Sequence, residues 1–357
     1  MQVLEFWLSD FRSYESAHLQ CPEGLLAIVG PNGMGKSNLL EAIGYLATLG
    51  SFRGAPPDAL IRAGTQSAVL RARVSSAERE HLIEAEIVQG RPNRVQVDHQ
   101  RLRRTRDLLG TLRVSVFSPD DLSLVKGSPG LRREFLDDLA VALHPRNDDV
   151  RSTWEKALRQ RNALLKQVAG RLDESALRTL EVWDSKAHEA GTRLMAIRAA
   201  TVDALAARVA AAYRAISGSD QRVTLEYRPS CATELLAELV AARETDLRRR
   251  VTTVGPHRDD VVISLEGLPT RTHASQGEQR CVALSLRLAG HLEVAEVVGS
   301  PPVLLLDDVF SELDPQRCEA LVRELPAGQA FLTTASGLPD VVDAERVVEV
   351  TGAVLDA

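Results

Sequence analysis

The spacing of hydrophobic positions changes character along this chain. Leu25 to Val29 is an unbroken apolar run of strand length, the pattern of a strand buried on both faces. Ser67 to Val74, His81 to Val88 and Arg94 to Asp98 read as further short strands, each bounded by turn residues. From about residue 131 to 250 the period becomes helical. Trp154, Leu158, Leu165 and Leu172 fall on one helical face before Gly170 to Asp173 interrupts. The next helix carries Leu180, Trp183, Ala187, Ala190, Leu194, Ile197, Thr201 and Ala204 at alternating steps of three and four, a coiled-coil-like seam best read as core. Beyond 250, Val261 to Leu265 is a strand, and Val303 to Leu306 is an apolar strand that runs into two carboxylates. The pattern predicts an α/β head built from residues 1–118 and 251–357, with a helical arm lobe, 119–250, inserted into it.

The strand at Leu25 to Val29 leads directly into Gly30-Pro31-Asn32-Gly33-Met34-Gly35-Lys36-Ser37-Asn38, which contains the pattern GxxxxGK[ST]. Strand, loop, Lys-Ser and helix occur in the order a phosphate-binding loop requires. Glycines at 30, 33 and 35 let the backbone close around phosphate oxygens. Lys36 is placed to reach the β- and γ-phosphates of ATP, and Ser37 to ligate Mg2+. A helix from about Ser37 to Leu49 turns its positive end to the anion. The carboxylates after Leu306 complement this loop, because a strand ending in buried acids is costly without a cation. Asp307 is expected on Mg2+, through water or Ser37, and Asp308 beside the attacking water as general base. The plainer alternative is a pair of acids that cap the next helix.

A third stretch, Ser275-Gln-Gly-Glu-Gln279, opens another helix. Ser275 with Glu278 three residues later is a capping box. The same helix start, with Ser275 and Gly277, can present N–H groups and a hydroxyl to a γ-phosphate held by a second subunit. Lys36, Ser275 and Asp308 are thus the expected catalytic set of an ATP site that a dimer completes.

Together these stretches resemble the ABC-type ATPases: Walker A loop, signature, Walker B strand, and Ser311-Glu-Leu-Asp314 where a D-loop belongs. More narrowly the chain resembles the RecF family of bacterial recombination and repair proteins, related to SMC-type heads. This narrower resemblance is carried by Asp10-Phe-Arg-Ser-Tyr14, Ser51-Phe-Arg53, Ser118-Pro-Asp-Asp-Leu122, Lys126-Gly-Ser-Pro129 with Arg132-Arg133, and Gly255-Pro-His-Arg-Asp-Asp260. It implies an ABC-type P-loop ATPase head, a weak DNA-dependent ATPase activity, duplex DNA and single-strand/duplex junctions as ligands, and a RecR-type mediator as partner. It further implies an ATP-dependent homodimer that promotes recombinase loading. The chain departs from the ABC pattern in three places. No glutamine lies near Phe117 to Leu122, no histidine follows the strand Ala330 to Thr334, where Thr333 or Thr334 stands instead, and Asp308 occupies a position that is usually glutamate. The shorter acid predicts slow hydrolysis.

Composition narrows the remaining classes. At 357 residues and 44% apolar content the chain can bury a large core. The four cysteines, Cys21, Cys231, Cys281 and Cys318, have neither paired spacing nor a histidine partner, which fits a reducing cytoplasm without zinc or disulfides. No segment has the length of a signal peptide or a membrane span, so a transporter subunit would need a separate membrane partner. A P-loop kinase, the other alternative, needs no signature. Net charge is −6, but Arg91 to Arg113 holds seven arginines against Asp98 and Asp107. Arg101, Arg103, Arg104 and Arg106 are the candidate contacts to DNA phosphates, a solvated hairpin being the alternative. Arg248-Arg-Arg250 reads equally as a basic last turn of a helix, and Gly255-Pro-His-Arg-Asp-Asp260 as a turn or as a site for Arg258 or His257.

Overall fold

The computed structural model describes residues 1–76, 79–102, 104, 107–168, 173–231, 234–335, 337–351 and 354–356. They form two compact units. The first comprises Met1–Leu122, Ala211–Asp220 and Arg280–Ala357, and the second Ser123–Ala210 and Gln221–Gln279. Residues 251–279, expected in the head, thus cluster with the helical residues.

The first unit holds two six-stranded sheets. One is antiparallel in the order β2 (Tyr14–Gln20), β1 (Gln2–Phe11), β4 (Ser67–Ser76), β5 (Arg79–Val88), β6 (Arg94–Val97), β7 (Gln100–Arg101). Its strands alternate: in β4, Ala68, Leu70, Ala72 and Val74 are buried while Arg71 and Arg73 face out. The second sheet runs β15 (Val354–Asp356), β14 (Arg346–Thr351), β3 (Leu25–Val29), β13 (Ala330–Thr334), β12 (Val303–Asp307), β8 (Val114–Phe117), parallel except at β14–β15. Every residue of β12 and β13 is buried, the pattern of parallel strands covered on both faces. Helix α1 (Lys36–Thr48) shares one apolar cluster with both sheets, and its Leu39, Leu40, Ile43 and Leu46 are fully enclosed. Each such side chain contributes about 1.5–3 kcal/mol of burial free energy. Gln329 closes the unit, because its amide bonds both N–H and C=O of Val3 at 2.7 Å.

The second unit contains α3 (Pro129–Leu143), α4 (Asn147–Gln167), α6 (Leu235–Ala241), α7 (Arg243–Arg249) and α8 (Thr270–His273). It also holds a sheet in the order β11 (Leu268–Pro269), β10 (Asp260–Leu265), β9 (Val223–Arg228). Three unit boundaries fall within α2 (Leu122–Lys126), α5 (Glu174–Ser217) and α9 (Gln276–Val298) and the fourth between α5 and β9, while α10 (Pro315–Glu324) lies in the first unit. Trp154, Ala187, Ala190, Leu194, Leu235 and Leu239 form its apolar centre. The predicted seam of α5 is at least half-buried from Leu180 to Thr201, but Ala204 is exposed and Leu205 and Val209 are buried instead. A straight helix drifts about 20° per heptad from a 3.5-residue repeat, so the seam has rotated by about 70° after 24 residues. Leu172 and the interruption at Gly170 lie outside the described residues.

A fully buried cation ties these helices together. Arg161 of α4 donates to Asp184 of α5 at 2.7 Å, and to Asp246 of α7 and Thr252 at 2.6 and 2.9 Å. Replacing Arg161 by alanine leaves two buried carboxylates short of a partner and is expected to cost about 3–5 kcal/mol. Thermal unfolding of the variant measures it. Among the described residues no helix is long and apolar enough to cross a membrane.

Candidate nucleotide site

The loop between β3 and α1 has the backbone its glycines imply. Gly30, Gly33 and Gly35 have φ of 149°, 82° and 101°, angles that disfavour side chains. At Gly30 a Cβ would lie 2.4 Å from the Val350 carbonyl oxygen, and at Gly35 it would meet Ser13 Oγ at 2.8 Å. Gly33 faces open space, so its requirement is conformational alone. Helix α1 begins at Lys36, with no side chain capping its first turn. Its free N–H groups therefore remain available to an anion.

Lys36 folds back on the loop and donates to the carbonyl oxygens of Gly30 and Pro31 at 2.7 and 2.9 Å. Burial holds its ammonium below the usual lysine range, while Asp308 and Asp307 draw it back up. The acids come from the far end of the chain. Parallel pairing of β12 with β13, and of β13 with β3, carries Asp307 to the mouth of the loop. There Ser37 Oγ donates to Asp307 Oδ1 at 2.6 Å. Thr333 Oγ1 donates to the same oxygen at 2.8 Å and also accepts from the Asp308 N–H at 3.0 Å. Thr333, offered by sequence as a stand-in for the missing histidine, therefore braces both acids, whereas Thr334 bonds the Gly337 carbonyl at 3.0 Å.

Asp308 sits in the left-handed region at φ 50°, and its buried Oδ1 accepts no hydrogen bond among the described residues. Aspartate tolerates that conformation better than glutamate, because its short polar side chain bonds locally. This gives a backbone reason for the departure from the usual acid. Asp308 does occupy the N-cap position of the short 3-10 helix Val309–Glu312, but its side chain makes no capping hydrogen bond there, and α10 is capped by Asp314, which accepts from the Arg317 N–H at 2.9 Å.

Sequence reasoning missed Glu41. It is fully buried in α1, receives both guanidinium edges of Arg12 at 2.9 and 2.8 Å and Ser51 Oγ at 2.5 Å, and has Arg53 3.8 Å away. Two short stretches that looked independent, at Arg12 and at Ser51 to Arg53, meet on this carboxylate. Arg53 and Ser13 in turn bond Asn38 at 3.3 and 3.0 Å, which fixes the start of α1. An acid inside an otherwise apolar helix was the available signal. The loop after β8, where a glutamine was absent, is held by Asp121, which accepts from the Ser118 N–H and from Arg287 of α9, both at 2.8 Å.

With this geometry in view, the chain matches the family described as RecF/RecN/SMC N terminal domain over residues 2–352. It is 42% identical to the DNA replication and repair protein RecF of Streptomyces avermitilis, over 96% of this chain and 95% of that one. The RecF of Frankia alni is also 42% identical, with both chains covered in full. The chain belongs to the RecF family. A solved structure of the recombination mediator RecF-ATP in the RecFOR pathway superposes with a TM-score of 0.93 at 30% identity, over 99% of this chain and 96% of that one. The RecF-ATPrS structure gives 0.91 at 29% identity, over 99% and 97%. A Pyrococcus furiosus Smc head, at a TM-score of 0.57 and 17% identity over 99% and 94%, shares the fold alone. The RecF fold is thus the α/β head of an ABC-type ATPase.

The remaining predicted residues lie elsewhere. Ser275 stands before α9 in the second unit and forms the capping box. Its N–H donates to Glu278 at 2.7 Å, and its Oγ accepts from the Glu278 N–H at 3.3 Å. Ser275 is exposed and Gly277 half-buried, so capping leaves this helix start accessible within its unit. Arg101 on β7 and Arg104 are exposed, whereas Arg103 and Arg106 lie outside the described residues. Arg94 is paired with Glu86 at 3.2 Å, which reduces the positive charge of that hairpin.

Proposed function

We propose that this chain is an ATP-switched DNA-binding protein of recombinational repair. The observation that carries the reading is the convergence of Ser37 and Asp307 at 2.6 Å beside Lys36 and the unpartnered oxygen of Asp308. A hydroxyl and a carboxylate so close suit Mg2+, which takes few protein ligands and completes its shell with water and phosphate. Bound Mg2+ would neutralise charge on the β- and γ-phosphates. Gly30 to Gly35 wrap the phosphates, Lys36 exchanges its carbonyl partners for phosphate oxygens, and Asn38 secures the first turn of α1. Asp308 orients the attacking water and accepts its proton. The relatives solved as RecF-ATP and RecF-ATPrS support ATP as the nucleotide.

The site is completed by a second copy. Ser275 and Gly277 of one protomer face the γ-phosphate held by its partner, so that two heads close on two ATP molecules and form a surface for duplex DNA. Residues 1–118 and 251–357 serve as the functional head and 119–250 as the arm lobe. The shorter acid at 308 makes hydrolysis slow, and hydrolysis reopens the clamp. The RecFOR pathway named for the solved relatives supports a RecR-type mediator as partner. In this reading the target is a gap with a single-strand/duplex junction, and the place is the cytoplasm.

A Ser275→Arg variant tests this reading. It is expected to bind ATP as the native protein does but to stay monomeric with ATP in sedimentation experiments. An ATP-dependent dimer of that variant would overturn the cross-subunit site.

A further inference from the structure

Two stretches of the second unit have no part in the nucleotide site: Lys126 to Arg133 and Gly255 to Asp260. They meet in space. Arg132 grips Asp260 with both edges of its guanidinium, at 2.8 and 3.0 Å, and also donates to the Leu124 and Gly127 carbonyls at 3.3 and 3.1 Å. Arg133 donates to the Asp259 carbonyl at 2.6 Å.

The turn at Gly255 is rigid. Gly255 has φ 119°, and a Cβ there would lie 2.9 Å from the Trp154 ring. His257 stacks on Trp154 with centroids 5.8 Å apart, and its Nε2 bonds the Thr252 carbonyl at 2.9 Å. Asp259 is fully buried and accepts from the Tyr227 hydroxyl and from the Ser230 N–H. Asp137 is taken by both edges of Arg198 at 2.7 Å. The inner arginines and these hydrogen bonds satisfy Asp137, Asp259 and Asp260. Arg258 is exposed, and neither it nor Arg133 makes an ion pair among the described residues. Burial holds the His257 imidazole below its usual range, the Thr252 carbonyl and Asp259 draw it back up, and the positive charges of Arg258 and Arg133 lower it.

We infer that Arg258 and Arg133 form a preorganised contact for backbone phosphates of duplex DNA on the second unit. The inference rests on the DNA-binding reading above. The pinned turn fixes the position from which the exposed Arg258 side chain extends, and the guanidinium fork matches a phosphate. The nucleotide of a partner head is the other anion to weigh. The start of α9 is tied to the far end of β10, where Thr270 bonds the Ile263 and Gln279 groups at 2.9 and 3.0 Å. Roughly 10 Å of strand and a turn separate that end from Arg258. The geometry therefore favours a polyanion over the γ-phosphate facing Ser275.

The test is duplex DNA binding by the full chain with ATP across a salt series, comparing the native protein with Arg258→Ala and Arg133→Gln, and following ATP-dependent dimerisation in parallel. Each variant is expected to dimerise normally and to lower the slope of log K against log salt by about 0.9. This corresponds to about an eightfold affinity loss at 0.1 M salt relative to 1 M. Unchanged affinity and slope in both variants would overturn the inference, as would loss of the dimer with DNA affinity per dimer retained, which would assign the arginines to a protein interface. Native protein that binds no duplex would overturn the reading beneath it, and the inference with it. Arg258→Ala removes no contact that holds the unit together, so its result stands even if Arg133→Gln misfolds.

Discussion

Lys36→Ala is expected to remove measurable ATP binding while leaving the fold intact. Among the described residues Lys36 bonds only the carbonyls of its own loop, and those oxygens lie at the mouth where water can replace the ammonium. Its loss therefore costs the folded protein little. In the proposed nucleotide complex the same ammonium, on a buried lysine, faces phosphate oxygens, where losing one member of a charged hydrogen-bonded pair costs about 2–5 kcal/mol, roughly thirtyfold to several thousandfold in affinity. Burial already weakens the hold of Lys36 on its proton, and the nearby acids offset this only in part. An incoming polyphosphate supplies the missing negative charge. Isothermal titration with ATP and Mg2+, with a thermal melt of the apoprotein as control, measures both halves. Binding within threefold of native would contradict the assignment.

Asp308→Asn is expected to behave in the opposite sense. Binding persists and turnover stops. The amide keeps the size of the carboxylate and tolerates the left-handed backbone at φ 50°, so the strand end and its Thr333 bonds survive. What disappears is the basic oxygen, whose buried Oδ1 accepts no hydrogen bond among the described residues and is the proposed acceptor of the water proton. General-base catalysis contributes about 10²–10⁴-fold, and single-turnover hydrolysis should fall by that factor. Because hydrolysis is the proposed route out of the closed state, the variant with ATP should accumulate as a dimer that outlasts the native one. Rapid-quench hydrolysis and size-exclusion chromatography in ATP separate the two effects. A variant that hydrolyses at the native rate would move the base to another residue.

Much of this site could be read without coordinates, for a physical reason. The phosphate loop needs glycine at fixed offsets from Lys36, and buried acids at a strand end need a cation, so both leave local signatures. The loop strand at Leu25 to Val29 matches the structure, and α1 begins one residue earlier than predicted. What stayed hidden depends on long-range pairing. Nothing local says that β13 lies between β3 and β12, and only that order puts Thr333 on Asp307. The partners of Glu41 were hidden for the same reason, since Arg12 and Ser51 meet it only after folding. The seam of α5 failed at Ala204 because a strict heptad count ignores the drift of a straight helix.

The pairing of β3 also bears on how the protein is made. Both edges of this strand are occupied by β13 and β14, from residues 330–334 and 346–351. On a ribosome adding about 5–20 residues per second, Val29 emerges roughly 15–60 s before Ala330. During that interval an apolar strand destined for the interior has no neighbour, and Ser37 has no Asp307. The nascent chain thus exposes a sticky edge and lacks the Ser37–Asp307 pair proposed for Mg2+ until the last strands are translated. Truncation by a late stop codon or by proteolysis before residue 330 is therefore expected to yield an aggregation-prone fragment that cannot compete with the intact chain for nucleotide.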